Sequence, residues 1–188
     1  MEIDFSPMRI FLFLIAAFII SPAIGQDSEN IYWNRERDLH WEDFKAAPDH
    51  KNSYHAITSS GISFSWSIRI SPGGEEEFRS VIQTYFNPME SWVKKAGKSA
   101  FLLAHEQLHF DISELHARKL KKAVEQYEVT PEIKRDMRKI FDSIQRERVK
   151  MQERFDVESR HGTDSIMEAK WQNQVRKQLE ELKEYASG

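Results

Sequence analysis

The sequence predicts an α+β protein, and three observations carry that prediction. Residues 62–70 alternate apolar and polar side chains, a Pro72-Gly73-Gly74 turn follows, and after Asn87-Pro88 the apolar spacing becomes helical. Strands first and helices after is the α+β order, whereas a parallel sheet would need strand and helix to alternate.

The first stretch, MRIFLFLIAAFIISPAIGQ from Met8, joins one Arg to an apolar run from Ile10 to Ile20, a helix-breaking Pro22, and Ala23-Ile24-Gly25. That is the pattern of a secretory signal peptide over residues 1–25, cleaved after Gly25 to leave Gln26. Its charged region fits better from Met8 than from Met1, because Glu2 and Asp4 spoil the positive start. The apolar run falls well short of the ~20 residues that span a bilayer. The expected destination is therefore periplasmic or extracellular, with no stable membrane anchor.

Residues 26–188 read as a single domain, its ordered part from about Ile31 to Tyr185, and 40% hydrophobic content suffices for one core. A formal charge of −3 excludes the broad basic field of a nucleic-acid binder. With no cysteine there are neither disulfides nor a lipid-modified Cys, so metal ligands must be His, Asp or Glu.

In SGISFSWSIRI, Ile62, Phe64, Trp66, Ile68 and Ile70 share one side and Ser63, Ser65, Ser67 and Arg69 the other, the mark of a strand with one buried face. Phe78 to Phe86, rich in aromatic and β-branched residues, is its expected antiparallel partner. Trp33, Leu39, Trp41 and Phe44 ahead of the hairpin are expected in the core. From Ser99 a helix is expected to run to Val129, with Phe101, Leu108, Ile112, Leu115 and Leu120 along its apolar stripe. Thr130-Pro131-Glu132 starts a second helix that should reach about Phe155. A third begins near Ser165, where Ser-Ile-Met-Glu forms a capping box, and Met167, Trp171, Val175, Leu179 and Leu182 make its stripe.

The chemistry concentrates in AHEQLHFD, residues 104–111. On a helix His105 and His109 are ~40° apart in rotation and about 6 Å apart along the axis, so their nitrogens can reach one ion. Neutral imidazoles bind zinc while preserving most of its charge, and the adjacent Glu106 can lean toward a water held there as general base. His116 lies ~20° from His105 in rotation but ~10 Å beyond His109 along the axis, so it cannot share the ion. A third His on this helix's immediate extension is also excluded, since Ile112 and Leu115 stand where that arrangement needs Gly and His. Path length points elsewhere: the chain climbs ~27 Å from His109 to Tyr127 and a second helix of 18–24 residues descends ~27–36 Å. Met151 to Phe155 should return to the level of the histidines, and His161 just beyond is the expected third ligand, with Asp164 and Glu158 as alternatives. Asp111, Asp156 and Glu158 could orient the ligand imidazoles, although an ordinary salt bridge suits Asp111 better. Tyr85, His116 and Arg118 are candidates to stabilise an oxyanion.

At LHWEDF (Leu39 to Phe44), YFNPMESWV (Tyr85 to Val93), LLAHEQLHFDISELHARKL (Leu102 to Leu120) and FDVESRHG (Phe155 to Gly162) the chain resembles a known family. It comprises bacterial exported proteins grouped as domain of unknown function nine-two-two and regarded as predicted zinc-dependent proteases. The resemblance implies a zincin-like fold, zinc on His105, His109 and His161, and Glu106 as catalytic acid and base. Leu108 and Phe155 depart from it, where the family often has Gly and Tyr. The function expected is thus an exported zinc peptidase acting on a peptide or protein substrate. Its alternative is a non-catalytic exported zinc-binding or protein-interaction module. A substrate peptide could add as a strand to the hairpin's edge.

Overall fold

The computed structural model describes residues 30–186 apart from 72 and 75; the expected signal peptide at 1–25 lies outside the described residues. The α+β class is observed, with small antiparallel sheets followed by three helices. Strands β3 (Ser60–Ile70) and β4 (Glu76–Phe86) form the hairpin, in register from Ser60 opposite Phe86 to Ile70 opposite Glu76. Alternation does what the sequence asks of it: Ile62, Phe64, Trp66 and Ile68 turn inward, while Ser63, Ser65 and Ser67 stay exposed.

Three two-residue strands were not legible in the sequence. Strand β1 (Ile31–Tyr32) adds to the far side of β4, giving the order β1-β4-β3, and β2 (Ala56–Ile57) pairs with β5 (Trp92–Val93) in a separate sheet. Segments this short carry no periodicity; they are strands only because the partner's open backbone groups need pairing.

Helix α1 (Ala100–Glu125) starts at Ser99, whose side chain accepts the N–H of Leu102. It ends four residues before the expected Val129, where the Tyr127 hydroxyl bonds Thr130 and Asp136 and closes the turn. Helix α2 (Ile133–Glu158) begins after Thr130 has accepted the Glu132 N–H, and it runs almost a turn beyond the expected Phe155. Helix α3 (Ser165–Glu181) is capped one residue earlier than expected: Asp164 accepts the N–H groups of Ile166 and Met167. Glu168 is thereby released from the capping box and turns inward.

Helix α1 is the central element. One side lies on the hairpin, where Ala117, Leu120 and Val124 join Ile62 and Ile82 in a cluster with Met137 and Ile144 of α2. Nearer its start, Phe110 meets Phe86, Val93, Leu39 and Phe44, so Leu39 and Phe44 are core as expected, with Trp33 and Trp41 packed against them. Its opposite side packs Leu108 and Ile112 on Phe155, Trp171 and Val175. Phe155 and Trp171 are almost fully buried, and truncating either to Ala costs about 3–5 kcal/mol. Among the described residues no helix is long and apolar enough to cross a membrane.

Candidate metal centre

The apolar cluster around Phe155 is the floor of the site. His105 and His109 project from α1 onto it, their ring centroids 4.9 Å apart and 4.5 and 5.2 Å from the Phe155 ring. The end of α2 returns beside the histidines, at the level its length predicts. The extra length of α2 decides which residue arrives. Asp156, still helical, directs Oδ1 to His105 Nε2 at 3.2 Å and to His109 Nε2 at 3.0 Å.

The ligand-type atoms of His105, His109 and Asp156 all lie within 4.8 Å of one another, a group that could hold a metal ion. Ligands ~2.1 Å from a tetrahedral centre lie roughly 3.4 Å from each other. The nitrogen-oxygen spacings already approximate that value, and two imidazoles with one carboxylate are a zinc donor set, so the residues fit the metal.

The other nitrogen of His105 is equally committed. Its Nδ1 lies 2.6 Å from Glu168 Oε1 on α3, and because a carboxylate only accepts, Nδ1 carries the proton. This bond holds the ring with Nε2 toward the centre, as outer-shell carboxylates do for metal-binding imidazoles. Glu168 is buried, and its Oε2 has no hydrogen-bond partner. Burial works against charge on His105, yet the bonds to Asp156 and Glu168, with the charges of Glu106 and Glu168, raise its pKa to about 9. Asp156 shows the converse: burial opposes ionisation, but both histidines outweigh it and hold the carboxyl well below its ordinary range. Two imidazoles and a carboxylate sharing hydrogen bonds keep the donors assembled.

Glu106, next to His105, is as buried as its neighbour, both 4% exposed. Its backbone carbonyl accepts the Thr58 hydroxyl at 3.4 Å, and that of His109 accepts Gln152 Nε2 at 3.0 Å, Ser113 Oγ at 3.2 Å and Ser60 Oγ at 3.5 Å. The chain ahead of β3, the start of β3 itself and helix α2 are thus fastened to the helix backbone at the site.

The expected third ligand, His161, is not brought into this set. After α2 the chain passes through three left-handed residues, Arg160, His161 and Gly162, with φ of 51°, 52° and 75°. That bend turns the His161 ring outward, exposed and against Tyr54 at 5.0 Å between centroids. Gly162 instead meets the site: a Cβ there would lie 3.1 Å from Cγ of His105. Both alternatives are occupied as well. Asp164 caps α3, while Glu158 accepts the Trp171 indole N–H and pairs with Arg154.

Other candidates also fall into place. Asp111 makes no salt bridge among the described residues; its Oδ1 accepts N–H bonds from Trp33 and Gln107, both at 2.9 Å. His116 is outside the group, as helix geometry required, and donates Nδ1–H to the Ile112 carbonyl. Arg118 is bound to Glu114 and to the Leu179 carbonyl, so neither residue is free for an oxyanion. Tyr85 lies over Gly61 on the neighbouring strand, where any Cβ would meet its hydroxyl. Sequence reasoning missed Glu168 by reading it as a capping residue. Asp164, itself a strong cap one position earlier, was the available signal.

Residues 87–162 match the model of a family described as bacterial protein of unknown function (DUF922). The match contains His105, Glu106, His109, Asp156 and His161 and stops short of Glu168. No curated protein and no solved structure matches the chain.

Proposed function

We propose that the protein is an exported zinc-dependent peptidase. The observation that supports this most directly is the convergence of His105 Nε2, His109 Nε2 and Asp156 Oδ1 beside Glu106. These three side chains would hold the ion, with Asp156 in the role the sequence suggested for His161. A zinc ion there supplies Lewis acidity, polarising a peptide carbonyl and making a water acidic enough to lose its proton near neutral pH. The chain supplies the rest. Glu106 takes the proton from the attacking water and returns it to the departing amine. Glu168 holds His105 in the tautomer that leaves Nε2 for the ion, and Phe155 excludes water from the inner side of both rings. Strand β3 is the outer strand of its sheet, and an extended substrate would add along it through main-chain hydrogen bonds. The leader at 1–25 and the near-balanced charge support an exported protein acting on peptides, with neither nucleic acid nor a membrane anchor as partner.

One observation favours a second reading, a structural metal in a binding module: His105 and Glu106 are nearly sealed from solvent. A single experiment separates the two. Zinc content and cleavage of a mixed peptide library are measured for the wild type, Glu106→Gln and Asp156→Ala. A peptidase binds one zinc and cleaves, keeps the zinc but loses cleavage in Glu106→Gln, and loses zinc in Asp156→Ala. Zinc without cleavage in the wild type supports the structural reading, and a protein without stoichiometric zinc sinks both.

A further inference from the structure

Helix α1 has a second polar face, turned away from the histidines. Between it, α3 and the chain around Trp33 to His40 lies a cavity of about 640 Å³, within the range of small-molecule sites. None of His105, Glu106, His109 or Asp156 lines it. Leu39, Leu103, Ala104, Leu108 and Leu179 provide apolar walls.

The charges of this cavity are unevenly compensated. Arg118 is bound to Glu114 and the Leu179 carbonyl, and its guanidinium lies over the Trp33 ring at 5.0 Å. Arg35 at the rim pairs with Glu180, while Arg176 donates only to the neutral Asn173 side chain and has no ion-pair partner among the described residues. On the acidic side, neither Asp111 nor Asp38 has an ion-pair partner among the described residues. Asp111 Oδ1 is held by Trp33 from the N-terminal segment and by Gln107 from α1, while no described residue donates a hydrogen bond to Oδ2. Two carboxylates without ion-pair partners, one of them oriented by two donors, thus outnumber the single unpaired guanidinium of Arg176 in the lining and leave it with an excess of negative charge beside the aliphatic wall.

We propose that this cavity binds an organic cation on a short aliphatic stem, an ammonium or guanidinium whose N–H groups bond Asp111 Oδ2 and whose charge is shared with Asp38. The stem lies on Leu103, Ala104 and Leu108. The same chemistry is offered by a free alkylamine and by a Lys or Arg side chain of a peptide. This assignment does not rest on the metal centre or on peptidase activity.

The test is calorimetric titration of the full chain with n-butylammonium, agmatine and the tripeptide Ala-Lys-Ala, against n-butanol, butyrate and Ala-norleucine-Ala. Saturable binding of the cations, absent with the neutral and anionic controls, is expected. Asp111→Asn keeps the acceptor for Trp33 and Gln107, and it should weaken cation binding about tenfold or more. Tripeptide binding tighter than n-butylammonium identifies a peptide side chain as ligand, and the reverse identifies a free amine. Cations that bind no better than n-butanol overturn the proposal, as does undiminished affinity in folded Asp111→Asn. Should that variant fail to fold, the exposed Asp38→Asn decides: weaker binding supports the site and unchanged binding overturns it.

Discussion

Glu168→Ala tests whether α3 belongs to the proposed metal centre or merely covers it. The substitution removes the acceptor 2.6 Å from His105 Nδ1 and leaves that N–H buried without a partner. An orphaned buried donor costs about 1–3 kcal/mol, and an outer-shell change of this kind typically lowers metal affinity 10–100-fold. Those ranges agree, since each factor of ten is about 1.4 kcal/mol. Glu168→Gln separates charge from geometry: its carbonyl can still accept from Nδ1, and its NH₂ would occupy the place of Oε2, which already has no partner. The Gln variant should therefore fall between wild type and Ala. Zinc affinity is read by competition with a chromophoric chelator, and folding is checked by urea denaturation in excess zinc. Equal zinc affinity in all three folded proteins would refute the assigned role and reduce Glu168 to a packing residue.

Further outcomes follow from the same geometry. His161→Ala should retain zinc at wild-type stoichiometry while Asp156→Ala loses most of it; the opposite pattern by elemental analysis would restore His161 as the ligand. Gly162→Ala should destabilise the fold by about 1–3 kcal/mol, since φ of 75° strains any side chain and the new Cβ would press on the His105 ring; a urea midpoint equal to wild type would contradict this. Burial lowers the His116 pKa to about 4, against the Ile112 hydrogen bond, and the charges of Lys119 and Arg148 act in the same direction. Between pH 6.5 and 4 the unfolded chain thus binds a proton that the folded chain refuses. Stability falls as pH drops through that window and levels off below it, by about 3 kcal/mol in total. His116→Asn removes this dependence, so the stability difference between wild type and variant should change with pH only inside that window. A constant difference would show that His116 does not set it.

The parts of the fold visible in the sequence were those with a period. Alternation from Ile62 to Ile68 and the apolar stripe through Leu108, Ile112 and Leu115 stated their own geometry, although Ile70, expected on the buried face, is exposed at the hairpin's end; a helix-length estimate carried α2 back beside the histidines. What escaped had no local signature. Strands of two residues exist through their partners, and the left-handed run 160–162 depends on how Gly162 packs against His105. The difference between Phe155 and Glu158 as the end of α2 is less than one turn, yet it brings Asp156 to the centre and leaves His161 outside. Glu168 was hidden by competition between two adjacent capping residues, which only the folded helix start resolves. The family match covers the histidine pair and stops six residues short of Glu168.

The triply bonded carbonyl of His109 also bears on how the site can open. For α1 to swing away there, Gln152 of α2 and Ser60 of the sheet must both let go, while the Ser113 bond lies within the helix and moves with it. The histidine helix is therefore anchored at the site to both the sheet and α2. On the other side of the site the exposed residues 53–55 are held by the His55 carbonyl, which accepts the Lys94 N–H, and by the Tyr54 ring resting on His161. His161 thus joins that outer segment to the turn whose Gly162 packs on His105.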